Sequence, residues 1–388
     1  VRDTLFAMRR LLPLAILLLS SACTLAQTSL PTPPDSHQVN PDHTITFRYI
    51  APGARKVLLG LDAYPKPLPM TKDAAGIWSV TTPVLPPEFY EYEFIADGIT
   101  TLDPLNDSTV KNYVSLGSSV LLPGTPSEPW ELAAVPHGRV DHKMYTTHVA
   151  LHLPLNQESY MVYTPPGYDP NKKGGYPVLY LLHGWSDSEY GWTDQGHAEN
   201  ILDSLEASGK AVPMIVVMPL GYGDLDFVDH GFGVWREPAK VSANVALFGQ
   251  MLLTEIIPAV EHEYNVAPGR DNRALAGLSM GGLETLVIGL NHTDTFSYLG
   301  GMSAAVFGGK DDMFNAYIPN LDAKKANLHL LWIGCGKTDG LITGNRDFVA
   351  WTKAKGFDTV AVETPGAHTW LTWRDNLVHL APLLFQSK

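Results

Sequence analysis

The sequence predicts an α/β domain with a mostly parallel central sheet, preceded by a small β-sandwich. Three observations carry this. From residue 137 onward, short runs that are apolar throughout alternate with helical stripes, as in a parallel sheet covered on both faces. From 43 to 122 the apolar residues recur with period two between closely spaced turn signals. Between the two lies a stretch, 123–136, with Pro123, Gly124, Pro126, Pro129 and Pro136, which reads as a linker.

Taken in order, the chain opens on an export signal over residues 1–26. Met8-Arg9-Arg10 is a positive start, Leu11 to Leu19 an apolar run, and Ser20 to Ala26 supply small residues for cleavage. The run is too short for a membrane span, so no integral membrane segment is expected. A secreted or periplasmic location is expected. Cys23 offers an alternative, a lipidated N-terminus, although Ser20 stands where a lipoprotein signal usually has Leu. Cys335 is the only other cysteine, so no intramolecular disulfide is expected in the mature chain. Residues 27–42, rich in Pro, Ser, Thr and Asp, read as an unstructured lead-in.

In the sandwich, "TITFRYI" puts Ile45, Phe47 and Tyr49 on one face. "EFYEYEFIADG" sets Tyr90, Tyr92 and Phe94 against Glu91 and Glu93. In the second domain, residues 137–388, "YPVLYLLHG", "PMIVVMPLG", "RALAGLSMGG", "LHLLWIGCG" and "TVAVETPG" read as strands. "NILDSLEASGKA" and "VALFGQMLLTEIIPAVEHEY" read as helices, the second kinked by Pro258. A further helix carries the stripe Leu283, Leu286, Val287, Leu290.

The chain has 388 residues, 45% hydrophobic and 17% charged, with a formal charge of -13. That is enough apolar material for a core. No basic cluster lies outside the N-terminus, which excludes nucleic acid as an expected partner.

"GLSMGG" carries the chemistry. It matches G-x-S-x-G, in which a serine sits on a sharp turn between a strand and a helix. Gly277 and Gly281 permit close backbone approach, and Ser279 is left exposed beside a helix N-terminus. A serine needs a base, and the base needs an orienting acid. His368 follows a strand directly, where the base belongs. His292, His329 and His379 sit at the wrong ends of elements or on helices. Asp339, after "LLWIGCG", is the candidate acid, with Asp347 and Asp358 as competitors. An oxyanion hole would use the backbone N–H of Met280 and, from "HGWSD", that of Trp185. His183 reads as structural. Aromatic residues crowd the same loops, and Trp192, Tyr222, Trp235 and Trp370 are the candidate substrate contacts, alongside Trp185, Tyr190, Phe232 and Trp373. No metal-binding pattern and no cofactor motif is present, so no metal and no cofactor is expected.

Residues 137–388 resemble carbohydrate esterase family 1, the feruloyl and acetylxylan esterases, related to esterase D and the enterochelin esterases. The resemblance rests on "VYTPPGYDP", "YPVLYLLHG", "GHAENILDSL", "PMIVVMPLGYG", "RALAGLSMGG", "WIGCGKTDGL" and "GAHTWLTWRDNL". It implies an α/β-hydrolase fold, with the family's nucleophile, acid and base falling on Ser279, Asp339 and His368. "YEYEFIADGITTLDPLND" is similar to the immunoglobulin-like early-set module of the glycogen-binding type, implying such a sandwich over 43–122. The implied function is a secreted serine esterase removing feruloyl or acetyl groups from plant cell-wall polysaccharide, xylan first. The partner would be that polysaccharide or a phenolic ester. A siderophore esterase of the enterochelin type is the alternative within enzymes, and a non-catalytic carbohydrate-binding protein the alternative outside them. Because triad and oxyanion donors all follow the linker, residues 137–388 alone are expected to hydrolyse a small ester.

Overall fold

The structure is a computed structural model that describes residues 34–306 and 311–386. The export signal, Cys23 and the first part of the lead-in lie outside the described residues.

An all-β region comes first. One sheet has the strand order His37–Val39, Ile45–Ile50, Ile77–Thr81, Thr71–Lys72. The other runs Leu68–Pro69, Val57–Leu61, Glu88–Ala96, Leu116–Leu122, Thr109–Lys111, with Ile99–Thr101 pairing beside Glu88–Ala96. The period-two pattern explains the packing. Ile45 and Phe47 from the first sheet share one core with Leu59, Tyr90, Phe94 and Val120 from the second. The lead-in expected to be unstructured over 27–42 is corrected at its end. His37–Val39 pairs antiparallel with Ile45–Phe47, and the turn between them is held by Asn40, whose amide donates to Thr44 and Thr46. Polar turn residues there mark a tight hairpin rather than a free arm.

Residues 123–136 contain no helix or strand, yet they are packed. Glu131 accepts the backbone N–H groups of Gly124 and Glu128, and Trp130 is buried in the core of the following domain.

That domain is built on eight strands: β1 (Arg139–Thr146), β2 (Gln157–Thr164), β3 (Val178–Leu182), β4 (Ile215–Pro219), β5 (Arg273–Leu278), β6 (Tyr298–Met302), β7 (Leu330–Gly336) and β8 (Thr359–Thr364). Their order is β1-β2-β4-β3-β5-β6-β7-β8. The β1–β2 and β2–β4 pairs are antiparallel and the remaining pairs parallel, so the sheet is mixed. The apolar runs are continuous because both faces are covered. Val178, Tyr180 and Leu182 of β3 point to a core shared with helices α2 (Pro238–Met251), α3 (Ser279–Asn291) and α4 (Ile342–Ala354). Leu179 and Leu181 point to the other core, against α1 (Ala198–Ala207) and α5 (Trp370–Leu380). The stripe Leu283, Leu286, Val287, Leu290 packs on the first of these cores.

The long helix expected to be kinked by Pro258 keeps helical backbone angles through Leu252, Ile256 and Ile257 and carries an irregular turn just ahead of that proline. A π turn over Leu252–Ile256 joins α2 to a last segment, Ile257–Glu263. Proline has no N–H to offer the carbonyl four residues back, and the π turn absorbs the mismatch. The whole of Pro238–Glu263 is long and apolar enough to cross a membrane by length and composition. Val245, Phe248, Met251, Leu252, Ile256 and Val260 instead bury it against the sheet.

Candidate active site

Ser279 is the first residue of α3, directly after β5, and its φ is 51°. A serine in the left-handed region is uncommon and costs energy that the surroundings must hold in place. Two glycines allow it. A Cβ on Gly277 would lie 2.6 Å from the Gly281 carbonyl group, and one on Gly281 would lie 2.5 Å from the His183 carbonyl oxygen. The Gly281 N–H donates to that same oxygen at 3.1 Å, which fastens the elbow onto the end of β3.

The carboxyl ends of β5, β7 and β8 bring Ser279, Asp339 and His368 into one line. His368 Nε2 is 2.9 Å from Ser279 Oγ, and His368 Nδ1 is 2.9 Å from Asp339 Oδ2. The other Asp339 oxygen accepts the Leu341 N–H at 2.8 Å. Burial would raise the Asp339 carboxyl, but the hydrogen bond and charge of His368, with the Leu341 N–H, outweigh it and hold it below the usual carboxylate range. An ionised Asp339 therefore fixes Nδ1 as the protonated nitrogen and leaves Nε2 to accept the serine proton. The competitors are elsewhere: Asp347 is on α4 and Asp358 precedes β8.

Met280 lies in the N-terminal turn of α3, directly after Ser279, and Gly184 and Trp185 lie across from that turn. A Cβ on Gly184 would sit 3.3 Å from the Ser279 Cβ, and both loop residues line the pocket around Ser279. The Trp185 indole is anchored, donating to the Phe227 carbonyl at 3.1 Å. His183 is buried beneath this loop. Its Nδ1–H donates to Gly184 O at 2.7 Å, and its Nε2 accepts the Gly221 N–H at 2.8 Å. Burial pushes its pKa down to about 4, against a smaller upward pull from the Gly184 carbonyl.

The pocket, about 540 Å³, is lined by Trp185, Phe232, Trp235, Trp370 and Trp373 together with the triad. Of the four expected substrate contacts, Trp235 and Trp370 are on this wall. Trp192 and Tyr222 are not, and both are fully buried. Trp192 donates its indole N–H to Leu182 O and packs edge-on against Trp370, so it supports the wall from behind. Tyr222 braces the loop after β3 that carries Trp185, its hydroxyl accepting the Ser186 N–H at 2.7 Å and donating to Asp187 O at 3.1 Å. Aromatic residues in loops are as readily core as contact surface, and sequence position could not separate them.

Seven polar residues on the wall were missed, Ser186 and Thr369 beside the triad loops and five others. Asp62, Glu91 and Asn112 come from the all-β region, and Asp187 and Gln195 from the α/β domain. Asp187 stood in "HGWSD" and Glu91 on the polar face of its strand, but nothing local showed that those faces meet. Among the described residues, the only group with ligand atoms converging as for a metal is His152, Asp224 and Asp226. It is at the surface, where His152 Nδ1 and Asp224 Oδ1 already hydrogen-bond at 2.7 Å.

An α/β-hydrolase sheet that aligns a serine, a histidine and a buried carboxylate defines a class, the serine-type carboxylic-ester hydrolases, and this chain is one of them. It belongs to the esterase family whose model, described as "Putative esterase", matches residues 156–384. An endo-1,4-beta-xylanase/feruloyl esterase of Xylanibacter ruminicola is 32% identical over 359 residues, covering 90% of this chain and 46% of that protein. The chain thus spans about half the length of that relative. An acetyl esterase of Caldicellulosiruptor saccharolyticus is 27% identical over 227 residues, covering 50% of this chain and 78% of that one. Two solved structures share the fold. A CE1 ferulic acid esterase from Anaeromyces mucronatus has a TM-score of 0.56 at 23% identity, covering 72% of this chain and 97% of that one. The enterobactin esterase of Shigella flexneri has a TM-score of 0.67 at 18% identity, covering 90% and 96%. The α/β domain is related to the CE1-type feruloyl and acetylxylan esterases at moderate identity.

Proposed function

We propose that this esterase removes feruloyl or acetyl groups from plant cell-wall polysaccharide, xylan first, through a Ser279 acyl-enzyme. The observation that carries the mechanism is the unbroken line of hydrogen bonds from Asp339 through His368 to the Ser279 hydroxyl. His368 Nε2 takes the serine proton as Oγ attacks the acyl carbon. The oxyanion forms between the N–H groups of Met280 and Trp185. His368 then hands the proton to the departing alkoxide, and water repeats the sequence to release the acid. Aromatic walls from Trp235, Trp370, Trp373 and Phe232 suit a phenolic acyl group or a sugar ring. The similarity to a xylanase/feruloyl esterase and to an acetyl esterase favours this substrate class. We infer in addition that the all-β region is an immunoglobulin-like module, that residues 1–26 export the chain, and that no metal or cofactor takes part.

A second reading, hydrolysis of a catecholate siderophore ester, is favoured by one observation. The likeness to the enterobactin esterase covers 90% of this chain, a span that reaches into the all-β region. The test is a comparison of kcat/KM on methyl ferulate, acetylated xylan and a catecholate siderophore, with fluorophosphonate labelling of Ser279 alongside. Preference for either cell-wall ester supports the first reading. Preference for the siderophore replaces it with the second, and a labelled enzyme inactive on all three would reject both.

A further inference from the structure

The catalytic pocket has a polar end that the ester chemistry does not use. Glu91 reaches it from strand Glu88–Ala96 and Asp62 from just past the neighbouring strand Val57–Leu61, while Asp187 comes from the loop after β3 and Gln195 from the end of the π turn Gly191–Gln195. Gln195 is 5% exposed. Its Nε2 donates to Glu91 Oε1 at 3.0 Å, while its Oε1 is buried with no hydrogen-bond partner among the described residues. Both Asp62 carboxylate oxygens are in the same condition. The Asp187 carboxyl group accepts one hydrogen bond among the described residues, from Asn112 Nδ2 at 2.7 Å. The nearest buried cation is already engaged, since the Arg374 guanidinium donates to Glu88, to Phe89 O and to Gln195 O. Buried polar atoms without partners are uncommon in folded proteins, and on the wall of a substrate pocket they await a ligand.

The chemistry of that ligand follows. Burial raises Asp62, Glu91 and Asp187, and the charge of Glu91 adds to the rise at Asp62 and Asp187, bringing Asp187 up to about 8. At neutral pH Asp187 holds its proton, so its carboxyl both donates and accepts, and Gln195 does the same through its amide. An anionic ligand would be repelled by any that ionise. A metal ion would need converging oxygens, and the only such group among the described residues is His152, Asp224 and Asp226, outside the pocket. Hydroxyl groups, which also donate and accept, are the neutral match. We propose that Asp62, Glu91, Asp187 and Gln195 form a hydroxyl-recognising subsite that selects polyhydroxylated ester substrates. This rests on the esterase reading above and names the substrate feature the site selects. The hydroxyls have two sources, the sugar of the alcohol side or the ring of a catechol acyl group.

The experiment compares kcat/KM of the full chain on 4-nitrophenyl acetate, which has no free hydroxyl, on an acetylated xyloside and on methyl caffeate. Asp62→Ala and Gln195→Met should each lower kcat/KM for a hydroxylated ester about tenfold more than for 4-nitrophenyl acetate, mainly through KM. Asp62→Asn, which keeps a donor and an acceptor, should recover most of the loss. A loss confined to the xyloside assigns the subsite to the sugar, and one confined to the caffeate assigns it to the acyl ring. An equal change on all three esters, or none, overturns the proposal. Should Asp62→Ala fail to fold, the ratio measured with Gln195→Met decides alone. Ser279→Ala on 4-nitrophenyl acetate keeps the two readings apart. If that variant remains active, the esterase mechanism has failed; if it is dead while the ratios do not move, only the subsite has.

Discussion

At the scale of single residues, Ser279 and His183 make opposite demands. Among the described residues the Ser279 hydroxyl hydrogen-bonds to the His368 imidazole alone, so Ser279→Ala should leave the melting temperature within a few degrees of wild type. It should lower kcat by three orders of magnitude or more. A variant keeping a tenth of the activity would sink the elbow assignment. His183 is the reverse, a buried neutral ring whose two nitrogens are committed, one donating and one accepting. Its folded pKa of about 4 lies below the value near 6.5 it has when unfolded. Between those values the unfolded chain binds more protons, so the stability His183 contributes is whole above about pH 6.5 and drains away as pH falls towards 4. Replacement by a ring that cannot titrate isolates the effect. The stability advantage of wild type over His183→Phe in urea should shrink by as much as ~3 kcal/mol from pH 7 to pH 4. An advantage constant with pH would show that His183 is not buried neutral.

At the scale of elements, the strands, the turn at Ser279 and the strand-end positions of Ser279, Asp339 and His368 were legible because each has a local signature. Continuous apolar runs gave β3, β4, β5 and β7, and glycines at 277 and 281 fixed the turn between β5 and α3. The roles of Trp192 and Tyr222 were not legible. A buried tyrosine whose hydroxyl braces a loop and one that meets substrate look alike in sequence, and only the partners distinguish them. That bracing is testable. Tyr222→Phe removes the acceptor for Ser186 N–H and the donor to Asp187 O beneath the loop that carries Trp185. The backbone N–H of Ser186 would be left without its partner, at a cost of about 1–2 kcal/mol in stability. If the Trp185 N–H is the oxyanion donor proposed above, kcat should fall about tenfold with KM changed far less, as expected when a transition-state donor is displaced. A rise in KM with kcat intact would instead make Tyr222 a substrate contact.

At the scale of the whole molecule, the sequence divided the chain at 123–136 but did not show that the two parts share a site. Strand Glu88–Ala96 was read correctly as two-faced, with Tyr90, Tyr92 and Phe94 inward. What covers its other face is a property of the fold, and part of the answer is the catalytic pocket, through Glu91. The seam is keyed by Arg374 of α5, which is 1% exposed and 3.0 Å from Glu88 Oε1. Burial lifts the Glu88 carboxyl to about 7 even though Arg374 pulls it down. The expectation that residues 137–388 suffice for a small ester is therefore revised. Without the all-β region Arg374 loses two of its acceptors, Glu88 and Phe89 O, and the pocket loses Asp62, Glu91 and Asn112. The sharper probe keeps the chain whole. Arg374→Met leaves Glu88 buried without its cation, and breaking such a pair from one side costs about 3–5 kcal/mol. The carboxyl then takes up a proton to escape, so the loss should be greatest at high pH, where holding that proton is hardest, and smallest in acid. Adding Glu88→Gln removes the stranded charge and should restore part of the stability and flatten its pH dependence. Because α5 begins with Trp370 and Trp373, both on the pocket wall, loosening it should also raise KM for bulky esters. If the single variant unfolds in urea at the wild-type midpoint at pH 8, the seam is not held by this pair, and the two regions must owe their union to apolar contacts such as Leu371 against the core of the all-β region.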